Sequence, residues 1–437
     1  MLGRRYDREI LTLALPALGA LAADPLVSLV DTAFVGRLGR VELAALGVNV
    51  AVFSFAFILF NFLAYGTTPM VGRALGRGDR DEAGRIVANA FVLALLAGAL
   101  ALTVLQAFAR PILTGMGADA TLLDPAASYL RVRALAGPAL LLITAANGAF
   151  RGFQDTRTPL IVTLGVAGLN LILDPLFIFV FGWGLVGAAW ATTAAQWAGA
   201  VVFVALVYGR LRRSWRVPLR LPTWSEVTPF LNVGWALLIR TLSLIGALTV
   251  ATAVAARVGV VEVAAHQVAA QLWLFLALVI DALAIAGQAL VARYVGEGRP
   301  DDARAVSDRL LAMGLLVGVG LGIAFWAARA PLAAAFSDDP TVVATVLAVF
   351  PFVAAMQPLN GLVFVWDGIF MGVQDFRFLA LAMVLSALMA GVLLAAVLPL
   401  GWGLAGVWWA ITGLMVARAA TLGWRYRPAA GVFRRAA

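Results

Sequence analysis

The sequence predicts an all-α membrane protein of twelve transmembrane helices, arranged as two six-helix lobes related by a parallel internal repeat. Three observations lead to this class. The 437 residues are 63% hydrophobic and only 13% charged, whereas soluble domains carry about 25% charge. Twelve separate apolar stretches are long enough to cross a bilayer. Several loop segments also recur 220 residues further along the chain. This composition excludes the string of soluble domains that the length alone would suggest.

Each of the twelve predicted spans is an apolar stretch of about 20 residues or more. The first follows Arg4, Arg5 and Arg8 and stays apolar as far as Val35, which is too long for a cleaved signal peptide, so we interpret it as a retained span. The predicted spans are 10–34, 45–69, 86–108, 127–150, 159–181, 185–208, 229–255, 264–291, 308–328, 342–370, 378–399 and 404–424.

The basic residues indicate how the chain is oriented in the membrane. All 32 are arginines, and they form short patches between the apolar stretches, a pattern typical of membrane topology and not of nucleic-acid binding. With the N-terminus inside, 23 arginines fall in inner segments and seven, Arg133 among them, in outer segments. We therefore predict a multi-pass protein of the cell (inner) membrane with both termini in the cytoplasm. Two arginines fall within spans, and Arg418 is close enough to a cytoplasmic end to snorkel.

The internal repeat is visible in loop residues, where chance matches between apolar sequences do not explain it. Arg37–Val48 and Arg257–Val268 share seven of twelve residues, and Gly148–Arg157 and Gly368–Arg377 share six of ten. Six spans return the chain to its starting side, so the two halves share one orientation. We expect lobes at 1–208 and 223–437, joined by a basic cytoplasmic linker at 209–222, with a cleft between them suited to alternating access.

Several functions are excluded by missing residue types. There is no cysteine, and His266 is the single histidine, so thiolate or histidine metal sites and Ser/His triads are not expected. Lysine is absent, and with it the phosphate-binding loop of a primary pump. An intramembrane prenyl- or phosphotransferase needs clustered acidic residues, whereas the carboxylates here lie on different spans. We predict no enzyme activity, no cofactor and no bound metal.

Several short motifs occur in order along the whole chain. They resemble the multidrug and toxic compound extrusion (MATE) transporters, and are most similar to the DinF-like branch that includes plant citrate exporters. The motifs are Val30–Gly36 (VDTAFVG) with Pro16 before it, Gly287–Ala289 (GQA), the two Gln-Asp turns at 154–155 and 374–375, and Asp174–Phe177 (DPLF) with Asn170 before it.

Ionisable residues inside the spans are candidate functional residues, because each costs about 2.5–3.5 kcal/mol to insert at the bilayer centre. In the resembled family, an aspartate of the first span, an asparagine and an aspartate of the fifth and a threonine of the sixth form a cation site. The resemblance implies that cation coupling here uses Asp31, Asn170, Asp174 and Thr192.

Two carboxylates in a low-dielectric site do not both stay ionised cheaply, so one is expected to bind a proton reversibly. The same oxygens also suit Na⁺, and we favour the proton. The alternative is that these side chains only bond neighbouring helices, and Thr192 its own helix backbone. The resemblance implies that the first helix bends at Pro16 when the carboxylate changes protonation; the alternative is a static kink.

The remaining intramembrane residues are the candidate substrate-binding set, namely Asp24, Arg240, Asp281, Asn360 and Asp367. We expect Arg240 to pair with Asp281 or Asp367, either for structure alone or also to receive an anionic substrate. His266 is either a pH sensor or, as we favour, a polar residue near a helix end.

The function that follows is a cation-coupled antiporter exporting organic solutes or drugs. Its partners would be a small-molecule substrate and membrane lipid, with no nucleic acid, and it would act as a monomer. A flippase for lipid intermediates and an exporter of an organic anion such as citrate remain alternatives. The acidic residues suit a cationic drug, whereas Arg240 suits an organic acid.

Overall fold

The computed structural model describes residues 2–428 and 431–433, without the side chains of residues 2–5 and 210. Arg434 and Arg435, which were counted among the inner arginines, lie outside the described residues, as do the side chains of Arg4, Arg5 and Arg210. All regular structure in the described part is helical, which confirms the all-α class. Ten helices are long and apolar enough to cross a membrane, or twelve when each of two bent pairs counts as one span.

The chain forms two compact units, and each contains one half of the repeat. The N-unit is Leu15–Gly234, and the C-unit is Met1–Ala14 together with Trp235–Ala437. The first helices are α1 (Leu2–Gly36), α2 (Arg40–Ile58), α3 (Phe62–Gly76), α4 (Arg80–Ala107), α5 (Ala109–Gly115), α6 (Ala120–Ala134), α7 (Gly137–Gly152), α8 (Arg157–Pro175), α9 (Gly184–Val204) and α10 (Arg212–Trp215). The remaining helices are α11 (Trp224–Val258), α12 (Val260–Gly296), α13 (Pro300–Ala327), α14 (Arg329–Phe336), α15 (Pro340–Ala355), α16 (Gln357–Gly372), α17 (Phe376–Val397) and α18 (Gly403–Tyr426).

One predicted span in each unit is a bent pair of helices. The helices α6 and α7 meet at 47°, and α15 and α16 meet at 49°. Pro138 and Pro358 lie at the start of the second helix of each pair, where proline's missing N–H costs no helical hydrogen bond. The two breaks therefore repeat in the backbone a pair of prolines that match at the same offset in the sequence.

The ends of α7 and α16 repeat the same cap. Gln154 and Gln374 each adopt a left-handed backbone, with φ of 62° and 65°. In both caps the amide of the following aspartate donates to the carbonyl five residues back, Asp155 to Phe150 at 2.9 Å and Asp375 to Phe370 at 3.0 Å. This is a Schellman cap, in which glycine usually takes the left-handed position.

The first helix contributes to both units. Within the C-unit, its first turns are held by ion pairs and a hydroxyl contact. Asp7 accepts from Arg309 at 2.5 Å, and Glu9 accepts from Arg293 at 3.0 Å. The Tyr6 hydroxyl donates to Asp302 at 2.6 Å. Together these contacts fix the start of α1 to α12 and α13.

The predicted linker, 209–222, is held to the N-unit and is mostly without regular structure. It includes the single turn α10, and α11 begins after it at Trp224. Trp215 is buried and stacks on Phe153 with ring centroids 3.8 Å apart. The carbonyl of Arg216 lies so close to Gly84 that a side chain larger than hydrogen would not fit there. The domain limits drawn from the sequence remain predictions.

Candidate functional site

A cavity of about 270 Å³ lies within the N-unit. Its walls come from α1, α2, α6, α8 and α9. It brings together three of the four predicted coupling residues and one predicted substrate residue with two polar side chains of other helices. The residues that concern us are Asp24, Asp31, Arg133, Asn170, Thr192 and Gln196.

The fourth predicted coupling residue, Asp174, lies behind the cavity wall and is 0% exposed. It occupies the last turn of α8, just before Pro175. Because proline has no N–H to donate, the regular hydrogen-bond pattern is interrupted here, and a π-helical turn follows at Leu176–Val180. Asn170 lies one turn earlier on the same face and is also buried. Local backbone irregularity thus surrounds the buried carboxylate.

Asp31 and Asp174 are in direct contact. Their carboxyl groups lie within hydrogen-bonding distance of each other. Neither oxygen of Asp174, nor Oδ1 of Asp31, receives a hydrogen bond from a donor in the described residues. An ionised carboxylate only accepts hydrogen bonds, so these two groups bond to each other only when one is protonated. The arrangement is able to accept one proton, or to offer its oxygens to a small hard cation.

Thr192 makes both kinds of contact that the sequence left open. Its hydroxyl donates to the carbonyl of Ala188 in its own helix at 3.0 Å, and its oxygen accepts from the Asn170 amide at 3.3 Å. The Asn170 amide is thereby oriented, and its Oδ1 has no hydrogen-bond donor among the described residues. That oxygen therefore adds an amide acceptor next to the carboxylates.

Arg133 is a cavity residue that the sequence did not identify as functional. We counted it with the outer arginines, yet it lies at the end of α6, at the bend before α7, and is only 9% exposed. Its Nη1 donates to Oε1 of Gln196 at 3.1 Å, and its guanidinium lies 4.7 Å from the ring centre of Phe53. Its position in the predicted apolar span 127–150 was the available signal.

The C-unit contains a second buried group of charges. Arg240 pairs with Oδ2 of Asp367 at 2.5 Å, one of the two pairings expected. Arg418 donates to the same oxygen. The prediction that Arg418 snorkels is wrong, because its side chain is only 2% exposed and ends on Asp367. A buried guanidinium needs a counter-charge, and Asp367 lies within reach on the neighbouring helix α16.

The other sequence candidates are placed as follows. Asn360 is fully buried on α16, where its amide donates to Gln357 at 3.3 Å, and Asp281 is half-buried on α12. Asp24 is exposed on α1 and lines the N-unit cavity. Pro16 lies within the continuous helix α1.

His266 lies in the second turn of α12, as expected from its position, but its side chain is buried. Its Nε2 lies 3.2 Å from the Thr252 hydroxyl, and its ring lies 5.8 Å from the ring of Trp408. The residue is therefore a buried polar contact of the C-unit and not a solvated helix end.

Comparison with known proteins assigns the chain to a family. The family model described as MatE matches residues 16–176 and again residues 237–397, once in each half of the repeat. The Protein DETOXIFICATION 44, chloroplastic, of Arabidopsis thaliana is 37% identical over 436 residues, which cover 96% of this chain and 82% of that protein. A probable multidrug resistance protein NorM of Deinococcus radiodurans is 31% identical over 446 residues, covering 97% and 96%.

Solved structures agree with the family assignment at the level of the fold. A crystal structure of a MATE protein in its bent conformation superposes with a TM-score of 0.89 at 21% identity, covering 99% of this chain and 97% of that one. The fold and the site thus define a multi-pass membrane transporter. The chain belongs to the MatE family, the multidrug and toxic compound extrusion transporters. The resemblance to the DinF-like branch in particular stays a prediction.

Proposed function

We propose that this transporter is a cation-coupled antiporter that exports organic solutes by alternating access, with the proton in preference to Na⁺ as its coupling ion. The observation that carries the proposal is the contact between Asp31 and Asp174 at a cavity, with no donor from the described residues on either Asp174 oxygen. Asn170 and Thr192 would complete the site with amide and hydroxyl oxygens. One charge moving through 100 mV supplies about 2.3 kcal/mol, enough to drive export.

Alternating access is supported by the repeat, since two equivalent halves in one orientation are the plan of transporters that rock about a central site. The excess of inner arginines supports a cell (inner) membrane location with both termini in the cytoplasm. We further propose that the protein acts as a monomer and needs no cofactor. Pro16 is the proposed bending point of α1.

For the substrate, we propose drugs and other xenobiotics carrying a positive charge. The names of several bacterial relatives, which are called multidrug resistance proteins, support this class. Asp24 would attract such a cation at the N-unit cavity. In the C-unit the proposed contacts are Arg240, Asp281, Asn360 and Asp367.

A second candidate substrate is an organic anion such as citrate. It is favoured by the second partner of Asp367. Because Arg418 also binds that carboxylate, Arg240 is able to exchange Asp367 for a carboxylate of the substrate without leaving Asp367 buried and uncompensated. Lipid-intermediate flipping remains a lower-ranked alternative, as no described feature favours it.

Counterflow in proteoliposomes distinguishes these candidates. Purified protein is reconstituted, and uptake of tetraphenylphosphonium is compared with uptake of citrate under separate H⁺ and Na⁺ gradients. The proposal expects tetraphenylphosphonium movement that responds to the H⁺ gradient, while citrate movement would favour the second candidate. Movement of neither probe under either gradient would contradict antiport of both substrate classes.

A further inference from the structure

The N-unit cavity contains one charged group that the proposed coupling reaction does not use. Arg133 approaches the cavity from α6, opposite the coupling aspartate of α1. A buried guanidinium inside a membrane-spanning unit is costly unless an opposite charge compensates it. Its environment therefore needs an explanation beyond packing.

The direct partners of Arg133 are neutral. It donates to the Gln196 amide oxygen and lies over the Phe53 ring, a cation–π contact. No carboxylate of residues 2–428 and 431–433 with a described side chain lies within 4.0 Å of it. Asp31 is nevertheless close enough for electrostatic attraction across the cavity. The two charges therefore interact at a distance without forming an ion pair.

The formal charges of this buried group have a simple consequence. With both carboxylates ionised, Asp31, Asp174 and Arg133 sum to one negative charge. One monovalent cation brings the group to neutrality, and a second would leave a buried positive charge, which the low dielectric disfavours. Without Arg133, the two carboxylates alone would need two cations to become neutral.

Two other titratable groups face the same cavity. Tyr129 lies one turn before Arg133 on α6 and is neutral as a phenol at physiological pH. Asp24 lies two turns before Asp31 on α1, and its exposure keeps it solvated. Neither changes the charge of the buried group.

We propose that Arg133 is the fixed counter-charge that limits the N-unit site to one coupling cation in each transport cycle. The inference rests on the proposed function, because it assumes that Asp31 and Asp174 carry the ion. Arg133 is a positioning residue in this account, since it acts on the ion through the field at the carboxylates. The equivalent position 220 residues later is Val353, so the C-unit has no matching charge.

Difference titration of the purified protein tests the proposal without any substrate. The protons released between about pH 5 and pH 9 are counted for each variant. The count for a double variant, Asp31→Asn with Asp174→Asn, is subtracted to remove all other groups. We expect one proton per molecule for the natural protein and two for Arg133→Gln, a twofold increase. Arg133→Lys, which keeps the charge, should release one. Arg131→Gln is the matched control, because Arg131 is exposed on the same helix, and it should also release one.

The outcomes separate this inference from the proposed function. A count of one in Arg133→Gln overturns the role of Arg133 and leaves the coupling site intact. If Arg133→Gln does not fold, a count of two in the natural protein overturns the inference on its own. A count of zero in the natural protein, together with no binding of ²²Na⁺, overturns the proposed coupling site and the inference with it.

Discussion

Arg418 and Asp367 form an ion pair that is almost completely removed from solvent, with side chains 2% and 6% exposed. Arg418 belongs to α18 and Asp367 to α16, so the pair joins two helices of the C-unit. The same carboxylate oxygen also receives Arg240 of α11. One carboxylate therefore compensates two buried guanidinium groups, and the three residues do not contribute equally to stability.

We expect Asp367→Asn to destabilise the C-unit more than Arg418→Gln does. Removing Asp367 leaves two buried guanidinium groups without this counter-charge, and breaking a buried pair in this way costs about 3–5 kcal/mol. Removing Arg418 leaves Asp367 paired with Arg240. The free energy of unfolding in detergent is the measurement.

The control is the more exposed pair of Arg425 and Asp375, with side chains 25% and 23% exposed. There Asp375→Asn should cost about 1 kcal/mol or less. A greater loss of stability in Arg418→Gln than in Asp367→Asn would contradict the shared-carboxylate account.

Two repeat-related glycines are expected to be equally intolerant of a methyl group. A Cβ on Gly148 would lie 2.8 Å from the Cα of Ala64, and one on Gly368 would lie 2.7 Å from the Cα of Ala284. Helices in membranes approach closely where small residues meet, so Gly148→Ala and Gly368→Ala should each cost about 1–3 kcal/mol through overpacking. The measurement is the change in free energy of unfolding in detergent.

Gly391→Ala provides the control for the glycine variants. A Cβ there meets nothing within 4 Å, so the change should be neutral or slightly stabilising. Equal stability of all three variants would show that the close approach is not part of the native packing.

The N-terminal caps of α6 and α15 should weaken in acid. Hydrogen bonds from the Thr121 hydroxyl and from the Leu122 and Thr121 amides lower the pKa of Asp119, and bonds from Thr341 do the same for the pKa of Asp339. A lowered folded-state pKa means that the stabilisation is present above the ordinary aspartate pKa and is lost as pH falls through the folded-state value.

Hydrogen exchange at the Thr121 and Leu122 amides, corrected for the intrinsic pH dependence of exchange, measures the cap of α6. Protection should be full near neutral pH and fall below about pH 4. In Asp119→Asn, an amide oxygen replaces the carboxylate and does not titrate, so protection should not change with pH. The same fall in the Asn variant would contradict the assignment of the cap.

The sequence predicted the fold well because two of its signals are local. Apolar stretches long enough to span a bilayer leave the helix as their only solution. The repeat was visible at loop positions such as Gln154 and Gln374, and the structure gives these two residues the same left-handed cap. The breaks before Pro138 and Pro358 were not predicted, although both prolines had been aligned, because proline is compatible with either a bend or a helix start.

The candidate site was predicted only in part, because hydropathy does not encode which way a side chain faces within the helical bundle. Asp31 and Asp174 were found since a carboxylate in a span is conspicuous. Arg418 and Arg133 were missed because each lies near a predicted span end, where snorkelling is the usual outcome. Their burial depends on carboxylate and amide partners on other helices, and those partners are tertiary information.

The central claim is that Asp174, with Asp31, carries the coupling ion, and it is tested by gradient-driven export from proteoliposomes. The substrate is whichever probe shows counterflow, and the natural protein is compared with Asp174→Asn. Asp124→Asn is the control, since Asp124 is exposed and paired only with Arg110 at the surface. The account predicts that Asp174→Asn folds and still exchanges substrate without a gradient, but no longer accumulates it against a gradient. Full gradient-driven export by Asp174→Asn would contradict it.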